Sequence, residues 1–181
     1  MRAALPRIGQ SARGGYAEEM KKKGYMVRNA GFGDVGAIFD LIKKNPKELV
    51  PRSISDITQN TDRFLVCEHR KKVVGTVSWA ILPEIGKAAH PTVEIKSLAV
   101  AKTLRKKGIG RLLMHAAIAR VKTIRPEQII VLTFTPEFFR KFGFVEVPKV
   151  TLMHKLYTGC LNCSKYDSPF TCPEVAMSLA L

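Results

Sequence analysis

One stretch limits what this chain can fold into more than any other: Val93 to Arg111, VEIKSLAVAKTLRKKGIGR. It carries an apolar run of strand character through a cationic, glycine-bearing loop into the start of a helix. Gly108 and Gly110 remove side chains that would hold a ligand away from the backbone. Successive N–H groups at the start of a helix from Ile109 can then point at one anion. The helix dipole and the cations Arg105, Lys106, Lys107 and Arg111 add field of the same sign. This combination reads as a phosphate cradle; the plainer reading is a strand-to-helix turn with a solvated basic face.

Length and charge narrow the possibilities. At 181 residues the chain has room for one domain of ordinary size. It holds 30 Lys+Arg against 15 Asp+Glu, a formal charge of +15, so its surface should draw anionic partners. Nine of those cations (Lys96, Lys102, Arg105, Lys106, Lys107, Arg111, Arg120, Lys122 and Arg125) fall in one stretch without an acid. That stretch also lacks Phe, Tyr and Trp, which ranks nucleic acid low, because single-strand readers interleave aromatic platforms with their cations. No apolar run is long enough for a membrane span and the N-terminus lacks a secretory core, so the expected location is the cytoplasm and no membrane partner is expected. Residues 1–15 carry arginine and no acid, a faint transit-peptide pattern. A disordered basic extension over residues 1–24 is the reading adopted.

Hydrophobic patterning supplies the remaining elements. Met26–Asn29 can form a first strand, and Asp34 can cap a helix with Val35, Ile38, Phe39 and Ile42 on one face. Ser53 and Asp56 have capping-box spacing for a short helix to about Thr58, with Arg52 at its threshold. Phe64–Glu68 and Lys72–Leu82 form a hairpin, interrupted at Gly75 by a bulge. After a loop with Pro83, Gly86 and Pro91 come the strand Val93–Val100 and the helix from Ile109 to about Val121, with Leu112, Leu113, Ala116 and Ala119 as its apolar stripe. Gln128–Phe134 reads as a buried strand, Pro136 opens a short helix, and Phe144–Val147 and Val150–Tyr157 read as closing strands. Cys67 reads as core and His115 as structural.

Arg105, Gly108 and Gly110 match the R/Q-x-x-G-x-G/A motif of the GNAT acetyltransferases, and Phe138-Phe139-Arg140-Lys141-Phe142-Gly143-Phe144 is similar to that family's second signature. Residues from about Met26 to Lys149 resemble GNAT elements in order. The resemblance implies the GNAT acyl-CoA N-acyltransferase fold, an α+β arrangement with a mixed central β-sheet flanked by helices. It places the domain at residues 25–157, followed by a Cys-containing segment, 158–181, packed on it. It implies acetyl-CoA as co-substrate, its pyrophosphate on Arg105, Lys106, Lys107, Gly108, Ile109, Gly110 and Arg111. It further implies a splayed strand whose backbone near Leu98 and Val100 meets the pantetheine arm and the thioester oxygen, the Leu98 amide acting as oxyanion donor.

Acetyl transfer needs a free amine, because an ammonium cannot attack. Alternation along a strand puts Glu94 and Lys96 on one face, about 6.5–7 Å apart. Glu94 is then either a general base acting through water, as a glutamate in this strand is in many GNAT enzymes, or an exposed strand-edge acid paired with Lys96. Phe139 departs from the family pattern, in which many members carry a tyrosine that protonates the thiolate; a phenyl ring cannot donate a proton. Tyr157 or water must serve instead.

Four segments resemble the short bacterial N-acetylglutamate synthases: Leu49-Val50-Pro51-Arg52-Ser53, Glu94-Ile95-Lys96-Ser97-Leu98-Ala99-Val100, Phe138–Phe144 and the tail, which is similar to K-x-W-x-x-C-x-x-C-PK. Val50 interrupts the first pattern, Lys96 stands for an arginine, Tyr157 for a tryptophan and Ser164 for a proline. The resemblance implies L-glutamate as the amine acceptor, with Arg52 gripping one carboxylate and Lys96 supplying a second charge. Another amine, a protein lysine or a non-catalytic acyl-CoA or nucleic-acid binding module are the alternatives. A homodimer is compatible with the sequence, which does not set the oligomeric state. Cys160, Cys163 and Cys172 follow His154 with the spacing C-x2-C-x8-C. This invites a zinc site, but the spacing matches no standard zinc motif, so the reading adopted is free thiols without metal.

Overall fold

The β-rich segments of the sequence assemble into one seven-stranded sheet in the order β1-β2-β3-β4-β5-β7-β6. In the computed structural model, which describes residues 11–82, 91–161 and 163–181, these strands are β1 (Tyr25–Asn29), β2 (Phe64–His69), β3 (Lys72–Leu82), β4 (Thr92–Val100), β5 (Gln128–Thr133), β6 (Val145–Glu146) and β7 (Val175–Ala180). The helices are α1 (Ser11–Lys22), α2 (Val35–Lys43), α3 (Ile54–Gln59), α4 (Ile109–Lys122), α5 (Pro136–Arg140) and α6 (Met153–Lys155). Neighbours pair antiparallel except β4 and β5, which run parallel. The expectations for residues 1–10, for Pro83 and for Gly86 lie outside the described residues.

The sheet is covered on both faces. Val77, Trp79, Val93, Ile95, Ile129, Val131 and Met177 meet Met20 of α1 and Ile109, Leu113, Met114 and Ala117 of α4. On the other face Phe64 and Val66 meet Val35, Ile38 and Ile42 of α2 and Ile57 of α3. A smaller cluster of Leu82, Ile130, Leu152 and Ala176 continues that face toward the C-terminal strand. Mixed sheet and flanking helices agree with the expected fold class.

Several local readings change. Residues 11–22, assigned to a disordered extension, form α1, which buries Met20 to 2% exposure. Asp34 stands before α2 but caps nothing there: its carboxylate accepts from Gly31 N–H at 2.8 Å and pairs with Arg28 at 2.7 Å. The buried stripe of α4 runs through Met114, Ala117, Ile118 and Val121 rather than Ala116 and Ala119, because the face through Leu113, Ala117 and Val121 is the one laid on the core of the sheet. Residues Val150–Tyr157, read as a strand, are helical: α6 passes into a π-helical turn, Leu156–Cys160. The strand that completes this end of the sheet is β7, from the cysteine-bearing segment, which inserts between β5 and β6.

Gly75 has the reason anticipated for it. A side chain there would press on Leu113 and on the Ala99 carbonyl, and the β2–β3 register shifts next to its partner Cys67. The inserted C-terminal strand makes a sharper prediction. Met177 has 0% exposure, so Met177→Ala should cost about 2–5 kcal/mol in urea unfolding; a change within error would mean that β7 is not part of the core.

Candidate active site

The loop from Ala101 to Gly108 turns β4 into α4. Lys102–Leu104 form one 3-10 turn, Lys106 (φ +64°) and Gly108 (φ +87°) are both left-handed, and α4 begins at Ile109. Leu112 N–H bonds the Gly108 carbonyl at 3.0 Å, so the amides of Ile109, Gly110 and Arg111 precede the first bond of the helix and are presented at its N-terminus. These amides fit a pyrophosphate.

The two glycines serve different ends. A side chain at Gly108 would overlap the Tyr16 hydroxyl, whereas a methyl at Gly110 would make ordinary contact with Phe138 at 3.6 Å. The cations are also unequal. Lys106 and Lys107 are exposed on the loop. Arg105 is engaged with Asn45 and with Glu48 (3.2 Å) beyond α2, and Arg111 lies over the Tyr16 ring, 4.4 Å from its centroid.

β4 and β5 part company partway along their length. Their parallel register covers Thr92, Val93 and Glu94 against Gln128, Ile129 and Ile130, and ends there. On its other side β4 carries a bulge: Thr76 faces Ala99 while Ser78 faces Lys96, leaving an extra residue near Ser97, whose φ is +55°. A cleft opens between the diverging strands, lined by Ile95–Leu98 of β4, Leu132–Thr135 at the end of β5, Phe139, Glu48 and Leu49. The splay expected near Leu98 is therefore present, and Val100 lies at the loop end of the same strand.

Where the two strands part, next to the cleft-lining Ile95, stands Glu94, 4% exposed. Its oxygens lie 2.9 and 3.0 Å from Lys155 Nζ, and Lys96 Nζ lies 3.8 Å away. Glu94 is thus neither an exposed strand acid nor a partner of Lys96 alone. Burial pulls the Lys96 ammonium below the ordinary lysine value, against the opposing pull of Glu94. Burial also lowers Lys155, but the charge and hydrogen bond of Glu94 outweigh it and leave Lys155 above that value.

Arg52 reaches the same strand. Its Nε bonds Asp56 and Nη1 donates to the hydroxyls of Ser78 and Ser97, both at 3.2 Å, while its plane lies over Phe64. Nη2 has no hydrogen-bond partner among the described residues. The bulge at Ser97 brings Arg52 to β4 one residue from Lys96.

Lys155 escaped the sequence reading. It stands at the lysine of the K-x-W-x-x-C-like tail pattern, whose cysteines carry the stronger chemical signal, within a segment whose composition favours a strand. Tyr157 is 56% exposed and does not line the cleft, which removes it as the anticipated proton donor; the hydroxyls that line it are Ser97, Thr133 and Thr135. Cys160, Cys163 and Cys172 do not converge with His154: no three His, Cys, Asp or Glu among the described residues could hold a metal. Cys67 is core, its thiol pushed up to about 11 by burial.

The Glu94–Lys155 pair makes a stability prediction. Lys155→Met leaves a buried carboxylate without its nearest cation and should cost about 3–5 kcal/mol in urea unfolding. The double variant Glu94→Gln/Lys155→Met should be more stable than Lys155→Met alone; equal stability would show that the pair is not coupled.

Comparison with known proteins agrees with this geometry. Residues 60–146 match the acetyltransferase (GNAT) domain model. The chain is 32% identical over 153 residues to an uncharacterised N-acetyltransferase of Chlorobaculum tepidum, covering 83% of this chain and 93% of that protein. It is 27% identical over 147 residues to an amino-acid acetyltransferase of Mycobacterium tuberculosis, covering 78% and 79% respectively. Its fold superposes with a TM-score of 0.68 on N-acetylglutamate synthase from Neisseria gonorrhoeae complexed with coenzyme A and N-acetyl-glutamate, at 21% identity, over 87% of this chain and 35% of that one. A non-catalytic binding module is thereby set aside: the chain belongs to the GNAT family and is an acetyl-CoA-dependent N-acetyltransferase.

Proposed function

We propose that this chain acetylates the α-amine of L-glutamate by direct attack, the reaction of an N-acetylglutamate synthase. The observation that carries the reading is a buried carboxylate, Glu94, paired with Lys155 and Lys96 at the point where β4 leaves β5, with Arg52 bonded to Ser97 further along the same strand. Such a site suits an acceptor that is a dianion with an amine to be deprotonated. It also repels polyamines and basic peptides. The cations of the 105–111 loop serve the other anion, the nucleotide end of the donor.

Each residue then has a part. The Ile109, Gly110 and Arg111 amides, with Lys106 and Lys107, hold the pyrophosphate, while Arg105 ties the loop to Asn45 and Glu48. Bound acetyl-CoA supplies an electrophilic thioester carbonyl, for which the Leu98 amide is the proposed oxyanion donor, with the Val100 backbone along the pantetheine path. Glu94 takes the ammonium proton through a water, its carboxylate oriented by Lys155, which contacts both of its oxygens. Lys96 and Arg52 Nη2 take the acceptor's carboxylates. Phe139 supplies shape only, so solvent protonates the departing thiolate.

Release of CoA measured across a panel of amino acids and amines should single out glutamate; glutamate performing no better than leucine or lysine would overturn the acceptor assignment. Glu94→Gln should lower kcat about 10²–10⁴-fold while leaving acetyl-CoA affinity unchanged. Glutarate, a dicarboxylate without an amine, isolates the lysine's contribution. Because the Lys96 ammonium is held below the ordinary lysine value, glutarate inhibition should weaken as pH rises, before 10.5 is reached. Lys96→Arg should flatten the profile; a flat profile in the unaltered protein would remove Lys96 from the acceptor site.

A further inference from the structure

The helix that precedes the first strand is built into the phosphate loop. Tyr16, in the middle of α1, donates from its hydroxyl to the Gly108 carbonyl at 2.9 Å. The same carbonyl accepts the first helical bond of α4, from Leu112 N–H at 3.0 Å, so both of its lone pairs are used. Met20, one turn further along α1, also abuts Gly108: its sulfur would lie 3.6 Å from a side chain placed there. Gly108 is therefore required twice, by its left-handed backbone and by the phenol that fills the space of a side chain.

Tyr16 also governs the rim of the cradle. The Arg111 guanidinium lies over its ring at 4.4 Å, and Arg111 Nε donates to His115 Nε2 at 3.4 Å. His115 in turn meets the Tyr16 ring edge-on, with centroids 6.2 Å apart. Burial holds the Tyr16 phenol above the ordinary tyrosine value although the charge of Arg111 pulls the other way, so it remains a protonated donor. One side chain thus fixes the carbonyl that ends the loop and the position of a cation beside the three presented amides.

We propose that Tyr16 is a positioning residue for acetyl-CoA: from α1 it sets the shape of the 105–111 loop and the placement of Arg111 around the donor's pyrophosphate. This rests on the reading of that loop as the pyrophosphate site. A role in the loop alone separates Tyr16 from the chemistry at Glu94, so it should move donor affinity and leave kcat and the KM for the acceptor alone.

Steady-state kinetics with two donors test this, acetyl-CoA and acetylpantetheine, which lacks the nucleotide and its phosphates. Tyr16→Phe keeps the ring under Arg111 and loses the hydrogen bond; its KM for acetyl-CoA should rise about 3–10-fold with kcat and the KM for acetylpantetheine unchanged. Tyr16→Leu loses the stack as well and should raise it further, about 10–50-fold. Lys106→Ala/Lys107→Ala reports on the loop independently. Weaker acetyl-CoA binding in that variant with none in Tyr16→Phe would overturn the role of Tyr16 alone. No effect in either would overturn the pyrophosphate reading too. Equal rises for both donors in Tyr16→Phe would mark Tyr16 as a prop of the fold and overturn the proposal.

Discussion

Parallel pairing between β4 and β5 lasts for three residues and ends at Glu94; the remaining geometry depends on that limit. Had the strands stayed together, their backbone groups would be consumed by one another and the space between Ile95–Leu98 and Leu132–Thr135 would be closed. The bulge at Ser97 works on the opposite edge of β4, turning the strand and delivering the Ser97 hydroxyl to Arg52. A single strand thus presents a charged root, a free edge and, at its far end, the loop that begins α4.

The sequence made the strand, loop and helix of this unit legible because their signals are local. Gly108, the cations around it and the apolar turn that follows agree with one another within seven residues. Ser53 shows the same economy: its hydroxyl accepts from Asp56 N–H, as the spacing requires. Glu94 and Lys96 were also placed on one face by alternation alone.

What escaped was contributed from a distance. Lys155 reaches Glu94 across 61 positions of sequence and Tyr16 reaches Gly108 across 92, and no period or spacing encodes such contacts. β7 was hidden because its longer partner, β5, is not the strand next to it in the chain, and a long cysteine-bearing segment that reads as a tail separates it from β6. The VTLMHKLY run failed for another reason. Its β-branched and aromatic residues favour a strand, yet with β7 in place between β5 and β6 this segment lies outside the sheet and coils over it, burying Leu152 and Leu156.

In the proposed reaction donor and acceptor meet at the parting of β4 and β5, the donor from the loop and cleft and the acceptor from the side of Glu94. A crystal structure of the dead-end complex with CoA and L-glutamate measures this directly. The expected complex has pyrophosphate oxygens on the amides of Ile109–Arg111, pantetheine between β4 and the end of β5, and the glutamate amine within one water of Glu94 with its carboxylates on Lys96 and Arg52. Glutamate bound away from those two cations, or CoA outside the cleft, would contradict it.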